Sequence, residues 1–293
     1  MLFFAPDIPM PDEEFRLLRD FVYQHCGLYF HEENRYLLEK RLSKRLQQLQ
    51  LKNFKDYYYL LRYSPQRENE LTEVVNTLTT NETYFFREDF QLKTFVREIL
   101  PEIRAQKERE GERRLRIWSA GCSSGEEPYT LAMLLLDMPA FQGWQIEIIG
   151  TDISQRVLSL ARKGVYGTSS FRSTDDDYLR RFFVEYEGKY KIIDRVKNLV
   201  TISHLNLFDT TKVSLLGKMD IVFCRNVIIY FDATGKKRVI DTFYQRLRPD
   251  GFLLLGHSES LMNISNQFAL RHFTHDMVYQ RPASGPPLAL GSL

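Results

Sequence analysis

The chain has 293 residues, 43% of them apolar and 27% charged, with 40 Lys+Arg against 38 Asp+Glu for a net charge of +2. That composition describes one large or two modest globular domains and excludes a disordered or fibrous chain. The near-neutral balance excludes a general nucleic-acid coat and leaves any charged partner to a local patch. Three cysteines, Cys26, Cys122 and Cys224, are odd in number and too far apart for a Cys-x-x-Cys zinc or redox site, which speaks for a reducing compartment. MLFFAP lacks the basic flank of a signal peptide, and no apolar run approaches the ~18 residues of a membrane span. The expectation is a cytoplasmic protein with no metal site and no membrane insertion.

Residues 12–80 read as helices, because apolar residues recur at spacings of three and four: Phe15, Leu18 and Val22, then Leu38, Leu42, Leu46 and Leu49. A helix expected over 35–55 carries seven basic residues, Arg35, Lys40, Arg41, Lys44, Arg45, Lys52 and Lys55, against one acid, Glu39. With its leucines turned to the core, Arg41, Lys44 and Arg45 point outward; on its own this is a solvated helix face. The first convincing strand is RLRIWSA (114–120), after which short apolar runs at 146–153, 199–207, 219–226 and 251–256 alternate with helical patterns at 126–138, 154–163 and 234–247. This alternation predicts an α/β fold with a mainly parallel sheet, whose ligand crevice lies at the carboxyl ends of the strands. Residues 164–198 are too long for a simple crossover and contain FFVEYEGKYKII, two aromatic-rich arms around Glu187-Gly188, the pattern of a small antiparallel insert. FALRHFTHDMVYQR (268–281) fits a last hairpin, and PASGPPLALGSL (282–293) a disordered tail.

The segment IWSAGCSSGEEP (117–128) combines a strand, a turn of small residues and a helix start bearing Glu126, Glu127 and Pro128. Besides a plain strand-to-helix turn, three readings compete. A phosphate or dinucleotide site fails, because the glycine spacings are absent and two carboxylates stand where a pyrophosphate would bind. A hydrolase nucleophile elbow matches Gly121-Cys122-Ser123-Ser124-Gly125, with Asp220 and His257 downstream, but no strands or oxyanion loop precede it. A nucleoside ligand carrying positive charge and no phosphate, S-adenosylmethionine, suits a carboxylate-rich loop. The next strand ends in Thr151-Asp152, where an acidic side chain can hold a ribose diol or simply cap a helix. Asn206-Leu207 and Arg225-Asn226 end two further strands. Asn206 can bond an adenine edge or satisfy its own loop, and Tyr230 in CRNVIIYF can face the transferred methyl group or fill core.

TTNETYFFRE (79–88), WSAGCSSGEEPY (118–129), TDIS (151–154), CRNVIIYF (224–231) and PDGFLLLGHSES (249–260) resemble, in order, segments of the CheR family, the chemotaxis receptor glutamate O-methyltransferases. The resemblance covers residues 12–281 and departs at Gly121-Cys122, where some members carry two alanines. It implies an all-α N-terminal, receptor-docking domain (10–80) and an S-adenosylmethionine-dependent, Rossmann-like methyltransferase domain (81–281) with an antiparallel β-subdomain at 164–198. By the family's motif, Asn81, Thr83, Arg87, Gly121, Glu127, Asp152, Asn206, Leu207, Arg225 and Asn226 line the cofactor site, and Arg87 and Tyr230 lie nearest the methyl group. The implied partner is the glutamate-rich cytoplasmic helical domain of a chemoreceptor, met by a monomer through Arg41, Lys44 and Arg45, with S-adenosylhomocysteine as the second product. The alternatives are a cofactor-binding regulatory module, or a methyltransferase of a non-chemotaxis receptor array. Tethering members of the family carry a longer, glycine-rich turn in the β-insert. Here only Gly188 stands in that turn, so no tight peptide tether is expected.

Overall fold

The computed structural model describes residues 8–283, and its contacts divide the chain into two compact units: residues up to Thr80 together with Tyr230–Asp232, and Asn81–Ile229 with the chain from Ala233 onward. MLFFAP and most of the expected tail, from residue 284, lie outside the described residues. No helix among the described residues is long and apolar enough to cross a membrane.

The first unit is all helical: α1 (Asp12–Cys26), α2 (Arg35–Gln48), α3 (Phe54–Tyr63) and α4 (Arg67–Leu78). Asp12, Glu13 and Glu14 in the first turn of α1 complement its dipole, and Gly27 ends it in the left-handed conformation at φ 77°. Phe15, Leu18, Val22, Leu38, Leu42, Leu46, Phe54, Tyr57 and Leu61 form the buried interior. The helix expected over 35–55 stops at Gln48, so Lys52 and Lys55 lie beyond it. Its stop has no glycine to announce it: Gln50 takes a left-handed φ of 58°, and Leu51 N bonds back to Leu46 O at 2.9 Å, a closure usually made with glycine.

The second unit opens with α5 (Asp89–Thr94), a π-helical turn over Phe95–Ile99 and α6 (Leu100–Arg109). It then alternates β1 (Arg114–Ala120), α7 (Glu126–Leu136), β2 (Gln145–Asp152) and α8 (Gln155–Lys163). Next come β3 (Val165–Tyr166), α9 (Asp176–Phe182), β4 (Phe183–Tyr186), β5 (Lys189–Ile192), α10 (Asp194–Lys197) and β6 (Val200–His204). The chain finishes through α11 (Thr210–Ser214), β7 (Met219–Cys224), α12 (Ala233–Arg246), β8 (Leu247–Leu255), β9 (Ala269–His272) and β10 (Met277–Gln280).

Seven strands form one sheet in the order β6-β2-β1-β7-β8-β10-β9. The first five are parallel, and β10 runs antiparallel to both β8 and β9. This is the α/β architecture that the alternation predicted. From β1 the chain winds out to β2 and β6, then returns to lay β7 on the other side of β1, so the strand order reverses between β1 and β7 and a crevice opens at their carboxyl ends. β8 begins earlier than GFLLLG suggested, because Pro249 and Asp250, the latter at φ 61°, sit inside the strand, where sequence rules read Pro as a break.

The expected insert is a three-stranded antiparallel sheet, β3-β5-β4, with Glu187 (φ 49°) and Gly188 (φ 69°) making the two-residue turn of its hairpin. It is anchored by Phe85, whose ring stacks on Phe171 at 5.2 Å and meets Tyr166 and Phe183 edge-on at 4.8 and 5.1 Å. Such pairs add to burial by about 0.5–1.5 kcal/mol each, which makes the FF of TTNETYFFRE a packing element as well as a lead-in to the crevice.

Candidate active site

The loop after β1 is built around backbone conformations that few residues tolerate. Gly121 lies at φ 82°, and a Cβ there would come within 2.3 Å of Val227 Cγ2. The loops after β1 and β7 therefore approach so closely that glycine is required at this position in this chain. Gly121 N and Cys122 N both donate to Thr151 O, at 2.7 and 2.9 Å, which ties the turn to the end of β2. Ser123 (φ 49°), Phe86 (φ 58°), Glu88 (φ 59°) and Asn226 (φ 58°) are left-handed without being glycine. Strain of this kind persists only where surrounding contacts over-determine it, and it gathers at functional sites.

Those contacts come mainly from carboxylates. Asp152 is buried and accepts Ser123 N through Oδ2 and Ser154 N through Oδ1, both at 2.9 Å. The helix-capping alternative for Asp152 is not realised: the N-cap of α8 is Ser154, without a side-chain cap bond, and Asp152 instead ties the ends of the β1 and β2 loops together through backbone amides. Burial pushes its carboxyl above the ordinary value, and the backbone amides pull part of that back. Glu127, 15% exposed, accepts Ser119 Oγ at 2.7 Å and faces Arg225 Nη1 at 3.4 Å. Burial raises its carboxyl as well, opposed chiefly by Arg225. Glu126 is buried and takes hydroxyl bonds from Ser124 and Ser170.

The two arginines of the crevice differ sharply. Arg225 is 3% exposed in its side chain and fully engaged: Nε bonds Glu88 Oε2 at 3.1 Å, Nη2 bonds Arg87 O at 2.5 Å, and Nη1 faces Glu127. Its guanidinium is a brace, with little left to offer a ligand. Arg87 is half-buried and its side chain makes one hydrogen bond among the described residues, Nη1 to Glu82 O at 3.2 Å, while lying 5.6 Å from the centre of the Tyr84 ring. Most of its five donors are open.

Among the other expected site residues, Asn81 O accepts Ser123 Oγ at 3.0 Å, which fastens TTNETYFFRE to the β1 loop, and Thr83 is half-buried in the same segment. Asn206 Oδ1 accepts Phe208 N at 2.9 Å, satisfying its own loop, beside a buried Leu207. Asn226 Oδ1 is buried with no hydrogen-bond partner among the described residues. Tyr230 groups with the helical unit, where its carbonyl accepts Tyr29 N at 3.0 Å.

The hydrolase reading fails on geometry. Asp220 stands at the start of β7, where it accepts Arg116 N and pairs with Lys107 at 2.8 Å. Ser123 lies beyond the opposite end of β1, and its hydroxyl is bonded to Asn81 O.

The outward basic face needs a correction. Arg45 is turned in onto Glu70 as a bidentate pair at 2.8 and 2.6 Å, with Tyr57 OH on the same carboxylate at 2.6 Å. Arg41 reaches Leu78 O and Thr80 Oγ1. Lys44 and Lys40 are exposed and make no ion pair among the described residues. Sequence reasoning missed two residues, although both stand in motifs that carry the resemblance. Glu88 holds Arg225, and Glu259 accepts the backbone amides of Asn226, Val227, Ile229 and Gly256. An acid after a turn has many possible partners, and nothing in one sequence says which.

A crevice at the switch point that is rich in buried carboxylates and carries an unpartnered amide oxygen fits a cationic nucleoside. Comparison with known proteins agrees. Residues 13–79 match the family described as CheR methyltransferase, all-alpha domain, and residues 81–277 that described as CheR methyltransferase, SAM binding domain. The chain is 39% identical over 281 residues to chemotaxis protein methyltransferase 2 of Vibrio cholerae, covering 95% of this chain and 96% of that one. It is 34% identical to chemotaxis protein methyltransferase 1 of Pseudomonas aeruginosa, with 91% and 97% covered, and 34% identical to the chemotaxis protein methyltransferase of Escherichia coli, with 90% of each covered. The chain belongs to the CheR family of S-adenosylmethionine-dependent methyltransferases.

Proposed function

We propose that the chain transfers the methyl group of S-adenosylmethionine to glutamate side chains on the cytoplasmic helical domain of a bacterial chemoreceptor, forming glutamyl methyl esters. The observation that carries this reading is the open guanidinium of Arg87, a carboxylate-binding group in a crevice whose other arginine, Arg225, is spent on Glu88 and Glu127. The cofactor supplies an electrophilic methyl on a sulfonium, and the chain supplies the rest. A glutamate is already ionised at pH 7, so attack needs no general base. Arg87 can fix the orientation of the incoming carboxylate, and a single-point grip leaves the attacking oxygen less quenched than a bidentate one. Asp152, Glu127 and Asn226 are the residues that would hold the cofactor, with Gly121 setting how closely the backbone comes to it.

In the helical unit, Lys44 and Lys40 offer the unpaired charge for an acidic receptor helix, while Arg41 and Arg45 stiffen the element that presents them. Rim charges of this kind act through association rate and salt dependence more than through the chemical step. The test is incorporation of labelled methyl from S-adenosylmethionine into receptor-containing membranes. The expected result is label released as methanol by mild alkali; alkali-stable label would mean N-methylation and overturn the ester assignment.

A further inference from the structure

Glu259 has a role in this site that the crevice residues alone do not explain. Its carboxylate gathers four backbone amides: Oε2 accepts Asn226 N at 2.7 Å and Gly256 N at 2.8 Å, while Oε1 accepts Val227 N at 2.9 Å and Ile229 N at 3.2 Å. Three of these donors belong to the loop that leaves β7 at the switch point: Asn226 and Val227 precede the 3-10 turn Ile228–Tyr230 and Ile229 lies in its first residues, where leading amides have no acceptor within the turn. Amides withdrawn from water without acceptors are costly, and on this half-buried loop one side chain provides the hydrogen bonding that a ladder would otherwise supply.

The surroundings are shaped for that carboxylate. Glu259 N closes onto Gly256 O at 2.9 Å, which aims the side chain back at its own loop. A Cβ on Gly256 would lie 3.0 Å from both Asn226 N and Glu259 Oε2, so a side chain there would push the two loops apart by a few tenths of an ångström. The residue held most tightly, Asn226, carries both the left-handed φ of 58° and the buried, unpartnered Oδ1. A strained residue with an unpaired buried acceptor, clamped by a carboxylate on its backbone, is the kind of over-determined position that gathers at functional sites.

We propose that Glu259 is a positioning residue for cofactor binding: its carboxylate fixes the Asn226–Ile229 loop in the conformation that presents Asn226 to S-adenosylmethionine. This rests on the reading that Asn226 faces the cofactor. A glutamine at this position turns one acceptor into a donor aimed at amide N–H groups, and an aspartate keeps the charge but is one methylene short.

The experiment uses the full chain, calorimetric binding of S-adenosylhomocysteine and initial rates with S-adenosylmethionine. Glu259→Gln is expected to weaken binding roughly tenfold, as for loss of charge-assisted bonds, and to raise KM for the cofactor more than it lowers kcat. A role confined to stability would lower kcat with the folded fraction and leave KM alone, which would overturn the proposal. Glu259→Asp should recover part of the affinity. Gly256→Ala, which crowds the same loop without changing a charge, should reproduce the KM effect and provides the test if Glu259→Gln does not fold. Asn226→Ala separates the two layers: parent-like binding by this variant removes the site reading and the proposal with it. Weakened binding in Asn226→Ala beside parent-like binding in Glu259→Gln and Gly256→Ala removes the proposal alone. Non-additivity of Glu259→Gln with Asn226→Ala is the supporting outcome.

Discussion

The basic face of α2 and the switch-point crevice each present arginines that the sequence leaves equally available, and the structure resolves them in the same way. In α2 Arg45 is turned onto Glu70, and Arg41 onto Leu78 O and Thr80 Oγ1, leaving Lys44 and Lys40 to solvent. In the crevice Arg225 is locked between Glu88 and Glu127, leaving Arg87 open. The planar, multi-donor guanidinium suits internal bracing in both places, and the charge available to a partner is whatever the bracing leaves over. Counting basic residues therefore overstates a binding face.

The contrast within the crevice gives the largest expected effect. Arg225→Ala strands two carboxylates and should cost about 3–5 kcal/mol of stability, measured by urea unfolding. Arg87→Ala should leave the unfolding curve nearly unchanged while lowering methyl transfer on the order of 100-fold. If Arg87→Ala unfolds like Arg225→Ala, the distinction between brace and reader is lost.

The same comparison in α2 predicts a smaller split. Arg45→Ala leaves Glu70, 7% exposed in its side chain, without its partner, and should destabilise the helical unit by ~3 kcal/mol, the lower end for a buried pair because Arg45 is partly exposed. Lys44→Glu should change stability by less than ~0.5 kcal/mol yet slow receptor methylation, most at low ionic strength, as stopped assays across a salt series would show. Equal methylation at low salt would remove Lys44 from the docking face.

The smallest effect concerns pH. Burial holds Glu127 and Asp152 above the ordinary carboxylate range. A cationic ligand beside them lowers both, so the complex binds fewer protons than the free protein and affinity for S-adenosylmethionine rises with pH. The rise should begin near the ordinary carboxylate pKa of roughly 4 and level off at higher pH, once both carboxyls are ionised in the free protein. Calorimetry across that range checks it, and Glu127→Gln should flatten the curve.

Much of the fold and part of the site are legible in the sequence, for reasons tied to particular residues. Strand and helix periodicity points to β1, β2 and β7 and the carboxyl-end crevice, and small residues in GCSSG mark the close approach that Gly121 makes to Val227. Pairing is not legible. Whether Arg45 faces solvent or Glu70 depends on α4, where Glu70 stands 25 positions further along the chain, and Arg225 meets Glu88 across 137 positions. The end of α2 is hidden because Gln50 adopts a conformation that sequence rules reserve for glycine. Glu259 is readable as part of a motif, but its four amide partners exist only once two loops have met.

The most direct test of the account is to map the methyl group on the substrate. Receptor membranes incubated with the protein and S-adenosylmethionine, digested and sequenced by mass spectrometry, should carry the added methyl on glutamate side chains of the cytoplasmic helical domain, and Arg87→Ala should carry almost none. Methyl groups on lysine or on chain termini, or an unmodified receptor in the presence of protein that binds the cofactor normally, would contradict it.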